Sequence, residues 1–220
     1  MGQTAIVIGA TGVVGREVVA ELIACEAIAR VITLTRRPAP GDSDKVENHV
    51  VDFARLEDWA DCFQADLLFS CLGTTLKQAG SLEAQRRVDI DHQLSAARLA
   101  AAQGVTHYLL VSSSGANHAS RNGYLRMKGE LEVAIKALPF ARISVFQPSL
   151  LVGERSEFRL GETMGRYLLP LLTRLPGLQR YRPIRGAQVA ARMVEVSQRQ
   201  QQAHAVYRLE EVFPRTPHDN

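Results

Sequence analysis

A doubly wound α/β domain built on a parallel sheet (a Rossmann fold) is what this sequence predicts, and three observations carry the prediction. Short apolar or β-branched runs alternate strictly with helical segments along most of the chain. The first of these runs ends in a glycine-rich turn, GATGVVG at residues 9–15, which leads directly into a helical segment. At 220 residues the chain suits one large domain and is too short for two full-sized ones. Strict alternation implies parallel strands, because these need crossover connections and are covered on both faces.

The elements follow in order. AIVI (5–8) is the first strand and residues 13–25 the first helix. RVITLT (30–35), HVVDF (49–53), DLLFSCL (66–72), HYLLVSS (107–113) and RISVFQ (142–147) are the next five strands. Helices fall between them at 56–63, 82–103 and 123–138. RPAPGDSDK (37–45) reads as a surface loop, and PRTPHDN (214–220) as a frayed tail. From about Leu150 onward the chain should build the substrate side of the same single domain. It holds a helix at 161–177, broken near Pro170 and Pro176, and a second helix at 185–200.

Composition excludes several classes of function. An apolar share of 46% with 22% charged residues is that of an ordinary globular protein. A net charge of +3 gives no footprint for nucleic acid. No run approaches the roughly 20 apolar residues that cross a bilayer, and a strand begins too early to leave room for a signal peptide. Cys25, Cys62 and Cys71 are odd in number and not spaced as metal ligands, so they read as reduced thiols, with no metal site. The expectation is a cytoplasmic protein acting on a small molecule, as a monomer or homodimer. Residues 151–220 hold 11 Arg/Lys against 7 Asp/Glu, an excess that reads as solvated surface or as a preference for an anionic substrate.

GATGVVG lies where a strand ends and a helix begins, the place where a dinucleotide pyrophosphate rests on backbone N–H groups and the positive end of a helix dipole. Gly9 permits the tight turn, Gly12 lets the backbone approach the phosphates, and Gly15 lets the helix pack on the strand; Thr11, Val13 and Val14 complete the loop. About 20 residues on, where an acid would take a ribose 2′-OH, the second strand ends in Arg36 and Arg37. A guanidinium grips a 2′-phosphate that a carboxylate would repel, so the cofactor read here is NADP(H). Asp52 and Phe53 fall beside the adenine, and Leu72, Gly73 and Thr74 along the cofactor.

A second motif adds chemistry. YLRMK places Tyr124 and Lys128 on one face of a helix, just after a strand that ends in Ser112, Ser113 and Ser114. A carbonyl that accepts hydride needs a proton at oxygen. Tyr124 can supply it, since a neighbouring ammonium favours the phenolate and makes the phenol a better acid. Lys128 supplies that field and bonds the nicotinamide ribose, while a serine hydroxyl holds the carbonyl oxygen. Lys128 is one of only four lysines in the chain.

GATGVVG, LLVSSSGAN and YLRMKGELE together resemble the short-chain dehydrogenase/reductase superfamily. TLTRRP, VVDF, CLGTT and RVDIDHQLSAARLA narrow the resemblance to its atypical branch, typified by the Tat-interacting protein of animals, over roughly residues 4–155. The resemblance implies Tyr124 and Lys128 as the catalytic pair, Ser113 as the catalytic serine with Ser112 as its rival, and Arg36 as the 2′-phosphate contact. The chain departs from the pattern at Gln147, Pro148 and Ser149, where members often read RPG. It departs again at Val88 and Asp89, where many classical members carry an asparagine; Asp89 reads as a solvated helix residue. Two functions of different class follow: an NADPH-dependent reductase of a small carbonyl compound, and a nucleotide-sensing regulator that keeps the fold without turnover.

Overall fold

A computed structural model describes residues 2–39, 43–152 and 182–214. Seven strands form one parallel sheet in the order β3-β2-β1-β4-β5-β6-β9. They are β1 (Gln3–Ile8), β2 (Ile28–Thr35), β3 (Val46–Val50), β4 (Leu67–Ser70), β5 (His107–Val111), β6 (Arg142–Gln147) and β9 (His204–Arg208). Two-residue strands β7 (Leu151–Val152) and β8 (Ile184–Arg185) pair separately. Chain order reverses between β1 and β4, so the loops leaving these strands splay apart and open a crevice at the carboxyl edge.

Burial on both faces explains why the central strands are continuous apolar runs. Ala5, Val7, Leu67, Phe69, Leu109 and Val111 face α1 (Gly15–Ala24) and α6 (Gly186–Arg199). Ile6, Ile8, Leu68, Tyr108 and Leu110 face α4 (His92–Ala102) and α5 (Gly123–Lys136). Each fully buried Leu, Ile or Phe contributes about 1.5–3 kcal/mol. Side chains fix the helix ends. Lys45 Nζ donates to the carbonyls of Ile23 and Cys25 at 2.9 and 3.2 Å, closing α1. Thr75 and Ser81 cap the short α2 (Leu76–Ala79) and α3 (Leu82–Arg86).

The doubly wound reading holds, with local corrections. The third strand is Val46–Val50, not 49–53: as an edge strand it is only half-buried, so its pairing residues, VENHV, are not the most apolar ones. The segment expected as a helix at 56–63 is 3₁₀ turns over Phe53–Phe63, interrupted by non-helical backbone at Arg55 and Trp59. The other edge strand, β9, was not anticipated. The long helix expected at 82–103 is α3 and α4 joined by a π-helical turn, Arg87–Asp91. The helix expected at 161–177 lies outside the described residues, as do residues 40–42 of the expected loop and 215–220 of the expected tail.

At the amino edge a buried polar cluster ties sheet to helix. His107 Nε2 lies 2.7 Å from Ser144 Oγ, which donates to Gln200 Oε1 at 2.5 Å. Burial, reinforced by the Arg142 charge, pushes the His107 pKa down to about 4.

Candidate functional site

The three glycines of the first loop have different causes. Gly9 has φ +78°, and a Cβ there would lie 2.6 Å from the Cys71 carbonyl group. At Gly15 a Cβ would sit 2.1 Å from the Gly9 oxygen. The chain's own backbone therefore demands both. At Gly12 the nearest atom is the Gly9 oxygen at 3.2 Å, a contact relieved by a small shift. The missing side chain at Gly12 leaves the concave backbone open instead. No side chain caps the start of α1, whose positive dipole end therefore stands at this loop, with the Arg16 N–H donated to the Gly12 carbonyl at 3.1 Å. A pyrophosphate fits this chemistry. Thr11 is exposed, Val13 half-buried and Val14 buried. Gly186, the first residue of α6, presses on the loop from behind: a Cβ there would lie 2.3 Å from the Val13 oxygen.

Arg36 and Arg37 are exposed just beyond the end of β2. Asp52 spends a carboxylate oxygen on the Ala54 N–H at 2.9 Å, capping the 3₁₀ turn that follows. Phe53 is buried, with its ring 5.6 Å from that of His92. His92, which sequence reasoning missed, brings α4 to the ends of β2 and β3. Burial lowers its pKa, helped by the Arg87 and Arg36 charges and opposed by Asp91 and a hydrogen bond with the Phe53 backbone. Leu72, Gly73 and Thr74 leave β4 half-exposed along the crevice.

Asn122 sets the position of Tyr124. Its side-chain oxygen accepts the N–H groups of Tyr124 and Leu125 at 3.0 and 3.2 Å, so α5 starts with Tyr124 in its first turn. One turn later Lys128 is 2% exposed, and its Nζ lies 6.0 Å from the Tyr124 ring centroid. Gly129 allows this burial: a Cβ there would meet His118 N at 2.2 Å, so α5 packs directly on the loop that follows the serines.

Asp89 corrects the sequence reading. It is fully buried, not solvated, and its Oδ1 forms an ion pair with Lys128 Nζ at 2.9 Å. Its Oδ2 accepts the Thr74 N–H at 3.1 Å. The Lys128 charge is thus partly offset before it reaches Tyr124. No local pattern signals this pair, whose members stand 39 positions apart in the sequence.

The serines divide as well. Ser112 donates its hydroxyl to the Glu132 carboxylate, which also accepts from Gln147 Nε2 at 3.0 Å on each oxygen. Ser113 Oγ makes a long 3.5 Å contact with the Ser114 carbonyl. Gln147, at the end of β6, is therefore tied to α5 and β5, and the Ser114 N–H bonds the Pro148 carbonyl at 3.0 Å.

Crevice and glycine loop define a dinucleotide-binding class of protein, and the comparisons agree. A family model described as NAD(P)H-binding matches residues 9–138, and the chain belongs to that family. The chain is similar to Protein HTATIP2 of Rattus norvegicus, 38% identical over 168 residues, 74% of this chain and 69% of that protein. It is also similar to Protein fmp52, mitochondrial, of Emericella nidulans, at 36% identity over 73% of this chain and 72% of that protein. The atypical-branch resemblance read from sequence is thereby borne out. Among solved structures, MoeE5 in complex with UDP-glucose and NAD superposes with a TM-score of 0.66 at 17% identity, covering 95% of this chain and 79% of that one. A UDP-N-acetylglucosamine 4-epimerase from Methanobrevibacter ruminantium superposes with a TM-score of 0.71 at 12% identity, covering 94% of this chain and 77% of that one. At these identities the structures speak for the fold.

The expected cytoplasmic location is overturned. Fungal relatives from Emericella nidulans, Coccidioides immitis and Candida glabrata are named mitochondrial, which points away from a purely cytoplasmic protein. Reduced cysteines and a small net charge are common to both compartments, so composition could not separate them. Among the described residues no helix is long and apolar enough to cross a membrane.

Proposed function

We propose that the protein is an NADPH-dependent reductase of small carbonyl compounds. The observation that carries the reading is Lys128, buried and held beside Tyr124 at the carboxyl edge of the sheet, next to the serine loop. The glycine loop and the start of α1 would hold the pyrophosphate, Arg36 and Arg37 the 2′-phosphate, and Asp52, Phe53, Leu72, Gly73 and Thr74 the length of the cofactor. NADPH supplies the hydride that reduces the carbonyl carbon. Ser113, whose hydroxyl is not committed as that of Ser112 is, holds the carbonyl oxygen. Tyr124 gives its phenolic proton to that oxygen and regains one from solvent, so that carbonyl compound, NADPH and a proton become alcohol and NADP⁺. The substrate is a small molecule, with no role for nucleic acid or membrane, and the working form is a monomer or homodimer.

One observation favours a second reading. Asp89 offsets the Lys128 charge with an ion pair, an arrangement that suits a nucleotide-sensing protein that binds without turnover. NADPH oxidation followed at 340 nm across a panel of aldehydes and ketones separates the two. Turnover that disappears in Tyr124→Phe, with NADPH binding intact, supports the reductase; tight binding without turnover on any compound supports the sensor.

A further inference from the structure

Asp89 does more than stability requires. Desolvating two charges offsets most of their mutual attraction, so a buried ion pair is a poor way to stabilise a fold. Here the pair sits in a cluster of five buried polar side chains: Ser70, Gln85, Asp89, Gln93 and Lys128, at 0%, 4%, 0%, 0% and 2% exposure. The contacts form one chain. Ser70 Oγ donates to Gln93 Oε1 at 2.7 Å, and Gln93 Nε2 donates to the Asp89 carbonyl at 2.9 Å. The Asp89 carboxylate then reaches Lys128 on one oxygen and the Thr74 N–H on the other. Gln85 Nε2 donates to the Thr74 carbonyl at 3.3 Å, so the peptide units on both sides of Thr74 are held.

Helix geometry is altered to make this possible. Arg87–Asp91 is π-helical, an irregularity that recurs at functional sites. One extra residue in a turn rotates the helix on one side of it by about 100° relative to the other. Asp89 can therefore face Lys128 while Ala96, Ala97 and Ala100 of α4 still face the sheet.

We infer that Asp89 is a positioning residue: it fixes the Lys128 ammonium against the Thr74 main chain, so that the loop after β4 and the charge beside Tyr124 are set as one unit. The inference rests on the reading of Lys128 and Thr74 as NADPH contacts. Its test is a double-mutant cycle in NADPH affinity, measured by calorimetry on the full chain for wild type, Asp89→Asn, Lys128→Met and the double variant, with melting curves to confirm folding. Asparagine keeps the size of Asp89 and an oxygen for the Thr74 N–H, and removes only the charge that holds the lysine. Asp89→Asn should weaken NADPH binding at least tenfold, and the double variant should match Lys128→Met within twofold, because without the lysine there is nothing to position.

The disappearance of the loss in the Lys128→Met background is the readout that a purely structural role would not give, since a general disturbance of the loop would weaken binding in both backgrounds. Affinity equal to wild type in Asp89→Asn, or equal losses in both backgrounds, would each overturn the inference. So would Lys128→Met binding NADPH as wild type does. If Asp89→Asn does not fold, Asp89→Glu takes its place in the cycle: one added methylene displaces the lysine, and a loss of at least threefold that vanishes in the Lys128→Met background is the expected result. A wild type that reduces no carbonyl compound removes the reductase reading alone, since this cycle is read in binding.

Discussion

Replacing Lys128 by Met should destabilise the protein far more than a lysine-to-methionine change does elsewhere on a helix. The side chains of Lys128 and Asp89 are 3% and 1% exposed at a separation of 2.9 Å, so solvent neither screens the pair nor takes over when one member is lost. Lys128→Met leaves a buried carboxylate with the Thr74 N–H, a neutral partner, in place of a cation. Breaking a buried pair in this way costs about 3–5 kcal/mol. For a domain of this size each kcal/mol is worth about 2–4 °C in melting temperature, so a fall of about 6–20 °C is expected. Adding Asp89→Asn should recover most of it, because the remaining amide needs no counter-charge. Thermal melts and urea titrations at pH 7 on the four proteins give the numbers. A loss under about 1 kcal/mol in Lys128→Met, or a double variant as unstable as the two singles summed, would refute the reasoning.

Gly12→Val should weaken NADPH binding at least tenfold, about 1.4 kcal/mol, in a folded protein, whereas Gly15→Ala should fail to fold normally because its Cβ would strike the Gly9 oxygen; calorimetry and circular dichroism distinguish the two. Arg36→Ala should erase most of an NADPH-over-NADH preference worth about 1.5–3 kcal/mol and leave NADH affinity nearly unchanged, and equal loss for both cofactors would count against the 2′-phosphate role. His107 is held neutral by burial, its pKa pushed down from 6.5 to about 4. Its stabilising contribution is therefore complete above about pH 6.5 and is lost as pH falls from there towards 4, a loss of about 3 kcal/mol. Urea titrations at pH 7 and 4.5 should show a smaller drop in His107→Gln than in wild type, and an identical drop in both would reject this origin.

What the sequence made legible was local. The glycine loop, the buried central strands and the Tyr124/Lys128 spacing are each written within a few consecutive residues, and periodicity or turn chemistry exposes them. Edge strands are the counter-example: β3 and β9 bury one side only in part, so VENHV and HAVYR carry mixed patterns that periodicity passes over. The long helix was legible as a helix, but its π-turn, whose Asp89 meets Lys128 of α5, belongs to the tertiary fold. Asp89 illustrates the limit most clearly. An aspartate in a polar helical stretch reads as solvated, and only the tertiary fold brings Lys128 to it. The division between Ser112 and Ser113 has the same cause, since it depends on Glu132 and Gln147 arriving from α5 and β6.

The most direct test of the reductase reading follows the hydride itself. Wild-type protein is incubated with NADPH carrying deuterium at C4 of the nicotinamide and with the panel of aldehydes and ketones, and the alcohols are examined by mass spectrometry. The account predicts one deuterium at the former carbonyl carbon of at least one product, in the wild type and not in Tyr124→Phe. Saturable NADPH binding with no deuterium transferred to any compound would contradict it.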